Sequence, residues 1–379
     1  MPVQILGMIG ANPPHGGANL HTIGGGIDAD YLAEFAQAHE DAGFDRALIG
    51  YSSASADSLL LGLQAAQTTT TLNFLIAHRP GFVSPSLAAR KFATLDQFTR
   101  GRIAIHIISG GSDTEQHRDG DNLEHDDRYR RSAEYMQIMR KMWSEERPFD
   151  FEGDFYHLQG AYSDVRPYGD TIPIYYGGQS DAALIAAPFC DLFATWGEPR
   201  TAVRQRMDEV LAAAAPNRPA FSVSVRPIIA PTEDATWDKA HEILDGVKAT
   251  MNQQRQTPLG NTPLGTTTPR PEAVGSQRLL DFAAEKDIHD ERLYMPIAAA
   301  AGAAGNTSAL VGTPEQVVDS LVRYYDLGIS TILIRGFDPL ADTHEYGREL
   351  IPLLREAVAE HDAGQPQGTE STAQAAGTA

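Results

Sequence analysis

Eight times along the chain a short β-branched or apolar run is followed by an amphipathic helical stretch. The first three pairs are VQILGMI with DYLAEFAQAHEDAG, RALIG with DSLLLGLQAAQ, and NFLIA with SLAARKFATLDQFT. RIAIHII then leads through a longer excursion to RRSAEYMQIMRKMW, IPIYYGG leads to DAALIAA, and DLFATWG leads to a helix around Arg204 to Ala213. FSVSVRPIIA with WDKAHEILDGVKAT and TILIRG with YGRELIPLLREAVAEH complete the series. Near-continuous apolar strands separated by helices predict a parallel sheet covered on its outer face, and eight units is the number that closes a (β/α)8 TIM barrel. A doubly wound open sheet is the alternative, because periodicity does not reveal closure.

The 379 residues include 42% hydrophobic and 21% charged residues, enough to bury a large core. A formal charge of -20 argues against a nucleic-acid partner, whose phosphates would be repelled. Cys190 is the single cysteine, so no intramolecular disulfide is available, and its apolar neighbours predict a buried, inert thiol. The chain opens without a basic, then apolar, leader and carries no run of about 18 apolar residues. These features predict a cytoplasmic protein with no membrane association.

In a barrel the strand C-termini open on one face, where active sites gather. The residues at those exits are His15 after the first strand, Tyr51 to Ser55 after the second, and His78 and Arg79 after the third. His106, Ser109 and Gly110 follow the fourth, Gly177 to Ser180 the fifth, and Trp196 the sixth. Arg226 lies within the long seventh, and Arg335 ends the eighth. Around Gly178, Gln179 and Ser180 the run IPIYYGGQSD breaks at two glycines and enters a helix, a pattern suited to an anion: backbone amides unobstructed by Cβ, a hydroxyl, and a helix start. An ordinary strand-to-helix turn with a Ser/Asp cap fits the same residues.

Two excursions interrupt the repeat. The first, SGGSDTEQHRDGDNLEHDDRYRRSAEY, predicts a helix capped at Asp126 or Asp127; His125 and Tyr129, four apart, would share one face and pinch a phosphate if the helix held both. A solvated polar loop is the alternative. The second spans 251–307 and contains TPLGNTPLGTTTPRP, which predicts a mobile insertion, either a linker or a lid carrying Arg270 and Arg278. Residues 1–362 are expected to form one barrel domain, and the low-complexity 363–379 a disordered tail.

Several blocks in this order resemble the bacterial-luciferase-like flavin monooxygenases, and within them the alkanesulfonate monooxygenase group, over most of residues 3 to 360. They are SPSLAARKFATLDQFTRGR (Ser84 to Arg102), EHDDRYRRSAEY (Glu124 to Tyr135), YYGGQSDAA (Tyr175 to Ala183), TWGEP (Thr195 to Pro199), SALVGTPEQV (Ser308 to Val317) and GRELIPLL (Gly347 to Leu354). The resemblance implies a (β/α)8 barrel with insertions, a homodimer or homotetramer, that takes reduced FMN (FMNH2) from a separate NAD(P)H-dependent FMN reductase and reacts it with O2. For the sulfonate group it implies an alkanesulfonate substrate that leaves as sulfite and an aldehyde.

Carried onto this chain, the resemblance implies an FMN phosphate held by Gly178, Gln179, Ser180, Tyr129 and His125. His78, His106 and Ser109 complete the implied cofactor-binding set. His106 stands where relatives place an asparagine near the flavin ring. His15, Arg226 and Ser55 are the expected catalytic residues, and Trp196 and Arg335 the expected substrate-binding ones, with no metal. Ser55 stands where the sulfonate enzymes carry a cysteine. Ser224 and Arg226 stand where they carry an arginine and a histidine, Phe337 where they carry a phenol, and their lid arginine falls in the arginine-free AAAAGAAGN. Arg226 and Arg335 would then rebuild an anion clamp from new positions. A sulfone, a sulfinate or an amide-containing ring oxidised by the same flavin chemistry, a deazaflavin-dependent oxidoreductase, and a non-catalytic flavin-binding protein are the alternatives. A metal-dependent hydrolase finds little support, since the histidines form no HxH pair on one strand.

Overall fold

The computed structural model of the protein describes residues 2–14, 18–20, 23–256 and 271–364. The apolar runs form β1 (Gln4–Ile9), β2 (Arg46–Ile49), β3 (Asn73–His78), β4 (Ile103–Ile107), β5 (Ile174–Gly177), β6 (Leu192–Trp196), β7 (Ala220–Ile229) and β8 (Ile329–Ile334). Each pairs in parallel with the next, and β8 returns to β1 with Thr331 opposite Gln4 and Leu333 opposite Leu6. The sheet therefore closes, and the fold is a (β/α)8 barrel rather than an open sheet.

Helices α1 (Ala29–Asp41), α2 (Ser58–Gln67), α3 (Pro85–Thr99), α4 (His125–Ser144), α5 (Arg200–Ala214), α6 (Glu233–Gln256), α7 (Val274–Glu285), α8 (Pro314–Tyr325) and α9 (Ile351–Gly364) accompany the strands. Their starts are chemically marked. Asp28 accepts from the Asp30 and Tyr31 amides, Asp57 from the Leu60 amide, and Thr313 forms a reciprocal capping box with Gln316. Between β5 and β6 the run DAALIAAPF is a 3-10 helix, Asp181–Phe189; Pro188 lacks the N–H that an α-helix would need there.

Strand alternation builds two apolar layers. Ile5, Ile49, Phe74, Ile76, Ile105, Ile107, Ile174, Tyr176 and Phe193 face outward into the main core shared with the helices. Each aliphatic side chain buried there contributes about 1.5–3 kcal/mol relative to exposure. Leu6, Leu75, Ala104, Tyr175 and Leu192 face inward and plug the barrel. Gly7 belongs to the outer face, where an added Cβ would lie 2.2 Å from the His39 ring of α1.

β7 outruns the barrel. Its upper half pairs with the strand Ala309–Gly312, which continues antiparallel into Leu293–Tyr294 and Ile288–His289. Of the 251–307 insertion, the described parts are the end of α6, then α7, these short strands and the helix Pro296–Ala300. The Thr-Pro-Leu-Gly stretch with Arg270, and the tail beyond Gly364, lie outside the described residues.

Candidate active site at the barrel mouth

Inward residues near the strand ends retain solvent access, whereas their outward neighbours do not. His106, Ile108, Gly177, Ala194, Trp196, Ser224 and Arg335 are partly exposed, while Ile107, Tyr176, Phe193, Thr195, Val225 and Ile334 are buried. The plug of Tyr175, Leu75 and Leu6 thus floors an open mouth. Register fixes who points in: His106 pairs with Ala77 and Tyr175, Trp196 with Ser224, and Ser224 with Leu333.

The end of β5 lies beside the first turns of α4. That helix begins at His125, ahead of the Asp126 or Asp127 cap expected from sequence, and Glu124 precedes it without a side-chain cap. His125 and Tyr129 are therefore both helical, and their rings meet at 4.9 Å between centroids with a tilt of 54°. The His125 Nδ1 is 2.7 Å from Asp126 Oδ1. Facing Tyr129, a Cβ on Gly178 would lie 3.2 Å from the phenol oxygen and 2.7 Å from the Ala183 Cβ, so only glycine brings the backbone this close. Among the described residues Ser180 Oγ and Gln179 Oε1 are buried without a hydrogen-bond partner. Burial raises the Tyr129 pKa, with Ser180, Arg128 and Arg206 opposing the rise, so the phenol stays a neutral donor. The Tyr129 and Ser180 hydroxyls beside a glycine backbone at a helix start are groups suited to a phosphate.

His106 stands inside the mouth with its Nδ1 buried and unpartnered, and burial lowers its pKa to about 4. A neutral imidazole, donor on one nitrogen and acceptor on the other, is its working form. Across the barrel, Arg335 donates from Nη2 to the Asn306 carbonyl at 3.2 Å and rests Nη1 on the Met8 sulfur at 3.1 Å, a weak acceptor. Its Nε is buried without a partner, burial lowers its pKa to about 10, and among the described residues no carboxylate pairs with it. Trp196 lies against α7, where a Cβ on Gly275 would approach the indole to 3.0 Å.

Four expected site residues are placed otherwise. Arg226 is fully buried and spends its guanidinium on backbone: Nη1 donates to the Asn19 and Gly336 carbonyls at 2.9 and 3.1 Å, Nη2 to Leu20 at 2.5 Å, and Nε to Asn306 at 3.3 Å. The Phe337 ring covers its face at 4.7 Å. It staples loops and offers no free edge to a substrate. Ser55 accepts from the Ser52 amide at 2.9 Å and donates to the Ser52 carbonyl at 3.0 Å, so its hydroxyl closes a turn. His78 pairs in register with the outward Ile107, and it faces the helices, with Nε2 2.7 Å from the Tyr135 hydroxyl and its ring on Phe92. Ser109 bonds the Ser132 hydroxyl of α4 at 2.8 Å, behind the mouth. His15 lies outside the described residues.

Further residues reach the site: Arg79 and Arg278 were named from the sequence, whereas Arg206, Asn306, Arg128 and Glu272 were not. Arg206 of α5 donates from Nη2 to the carbonyls of Gly178 and Ser180. Asn306, at positive φ, donates Nδ2 to the Ser224 carbonyl while its own carbonyl accepts from both Arg226 and Arg335. Arg79 sits at the third strand exit, ion-paired with Glu115 at 3.0 Å and stacked on Tyr51. Arg128 ties the Gly110 and Leu123 carbonyls to Asp113. Residues 272–278 span from the β4 loop to the β6 loop: Glu272 accepts from the Asp113 amide, and Arg278 pairs with the buried Glu198. The sequence shows the charge of these arginines and the i,i+3 pair Arg206–Glu209, while most of their other partners come from other elements.

A (β/α)8 barrel hosts many unrelated functions, so the family rests on sequence. Residues 8–331 match the model of the luciferase-like monooxygenases. The chain belongs to that family. Among solved structures it is similar to riboflavin lyase with modified FMN and its substrate riboflavin (TM-score 0.75, 19% identity, 94% of this chain and 92% of that chain). It is similar also to EDTA monooxygenase from Chelativorans sp. BNC1 (TM-score 0.71, 17% identity, 94% of each chain). A third is an F420-dependent secondary alcohol dehydrogenase in complex with an F420-acetone adduct (TM-score 0.64, 18% identity, 93% and 99%). At these identities the likeness bears on the fold. Among the described residues no group of three or more His, Cys, Asp or Glu side chains is placed to hold a metal, and no helix is long and apolar enough to cross a membrane.

Proposed function

We propose that this chain is an FMNH2-dependent monooxygenase that uses O2 on a small organosulfur anion, with an alkanesulfonate converted to sulfite and an aldehyde as the leading substrate. The observation that carries the reading is Gly178 and the Ser180 hydroxyl set against Tyr129 at the β5 exit, with Arg335 at the β8 exit a cation that has no carboxylate partner among the described residues. Tyr129, Gly178, Gln179 and Ser180 hold the FMN phosphate, with His125 at the rim. Reduced FMN, when bound, supplies the electrons that activate O2. The protein's part is to bind, orient and exclude water. His106 offers the ring a neutral hydrogen-bonding edge, Trp196 walls the pocket, and Arg335 receives the substrate oxyanion through its unpaired N–H groups.

The reading includes delivery of FMNH2 by a separate NAD(P)H-dependent reductase and a homo-oligomeric assembly. The segment 251–307 is read as a lid whose described part is clasped by Glu272 and Arg278. A deazaflavin-dependent oxidoreductase is the second reading, favoured by the F420-dependent neighbour that shares the fold.

The test couples the protein to a flavin reductase with NADH and screens alkanesulfonates, sulfinates and sulfones. Oxygen-dependent sulfite from an alkanesulfonate is the expected result. Saturable FMNH2 binding with no product from any organosulfur compound would overturn the substrate, and tight binding of a deazaflavin in place of FMNH2 would favour the second reading.

A further inference from the structure

We infer that Arg206 is a positioning residue for cofactor recognition, one that makes the notch selective for a phosphorylated flavin; the inference rests on the FMN reading above. Arg206 is 3% exposed, projects from α5 beneath the β5 exit, and lies over the Phe193 ring at 5.7 Å. One nitrogen, Nη2, donates to the Gly178 carbonyl at 2.7 Å and to the Ser180 carbonyl at 2.8 Å. Nη1 is held by Glu209 at 3.0 Å. A planar trans peptide sets each N–H opposite its C=O. Drawing both carbonyls toward α5 therefore turns the Gln179 and Asp181 amides away from α5.

This arrangement matters because the loop could satisfy itself otherwise. Gly178 has no Cβ to restrict its rotation, and a flipped 178–179 peptide would present a carbonyl, an acceptor, to the phosphate. The guanidinium blocks the flip with two short bonds from a group that is itself immobilised by Glu209 and Phe193. Because Glu209 already neutralises much of its charge, Arg206 acts by orientation more than by long-range attraction. Lysine would keep a charge there but not the planar fork that meets Glu209 and both carbonyls together.

The experiment measures, under anaerobic conditions, the equilibrium affinity of the full chain for photoreduced FMN and for photoreduced riboflavin, which shares the ring and lacks the phosphate, in wild type, Arg206→Lys and Arg206→Gln. Wild type is expected to prefer FMN. In both variants that preference should shrink about tenfold or more, from weaker FMN binding, while riboflavin affinity changes less than about threefold. A purely structural role would weaken both flavins together, and an unchanged FMN-to-riboflavin ratio in folded variants would overturn the inference. If wild type binds neither flavin, the FMN reading itself fails. Glu209→Ala serves as a second variant should both arginine substitutions fail to fold; it releases Nη1 of the Arg206 guanidinium and should also lower the ratio, and an unchanged ratio there would overturn the inference.

Discussion

Arg226→Ala separates a loop staple from a substrate clamp. The arginine's donors reach four carbonyls, those of Asn19, Leu20, Asn306 and Gly336. Removing it leaves three of them without this partner, since Asn306 keeps its bond from Arg335. Leaving a buried acceptor unmet costs about 1–3 kcal/mol, so about 4 kcal/mol is expected for these carbonyls together once overlap is allowed for. With unfolding entropy near 2.1 cal/mol/K per residue over roughly 340 ordered residues, that loss lowers Tm by about 6 °C. Urea and thermal denaturation measure it directly. A variant whose Tm stays within about 1 °C of wild type, with impaired use of the organic substrate, would refute the staple and return the guanidinium to the substrate.

Other consequences follow from single contacts. Ser55→Ala should cost about 1 kcal/mol in urea denaturation and leave turnover unchanged, because its hydroxyl serves only Ser52; a large fall in kcat would contradict this. Burial holds His39, His78 and His106 at about 4 against an ordinary 6.5. Between those values the unfolded chain binds protons that the folded chain does not, so stability is complete above about 6.5 and falls as pH drops toward 4, by about 1.4 kcal/mol per unit per histidine. A urea midpoint that stays flat from pH 4.5 to 7 would contradict the burial of these rings. Arg278→Met frees the α7 segment from Glu198 and should raise the KM for the organic substrate with a small change in Tm; steady-state kinetics beside a melt distinguish that from general destabilisation.

The barrel was legible because its strands are short apolar runs, which report their own period without help from distant residues. The notch was legible for a similar reason: Gly178, Gln179 and Ser180 are consecutive, and His125 and Tyr129 are one helical turn apart. How Arg226 is held was not legible, because its four acceptors stand 80 to 207 residues away and the sequence showed a charge without showing its partners. Arg206 was missed on the same grounds. His78 failed by parity: it pairs with Ile107, one step out of phase with the inward His106, and one residue along a strand exchanges the mouth for the helix layer. The 3-10 helix after β5 shows local chemistry overriding pattern, with Pro188 ending what the alanines would otherwise continue.

The central claim is that the β5 exit is a phosphate seat for reduced FMN. Anaerobic titration of the chain with photoreduced FMN, run beside Ser180→Ala, tests it most directly. Saturable binding at one flavin per chain, weakened in the variant, is the predicted result; no saturable signal from wild type, or identical affinity in the variant and in Gly178→Val, would contradict it.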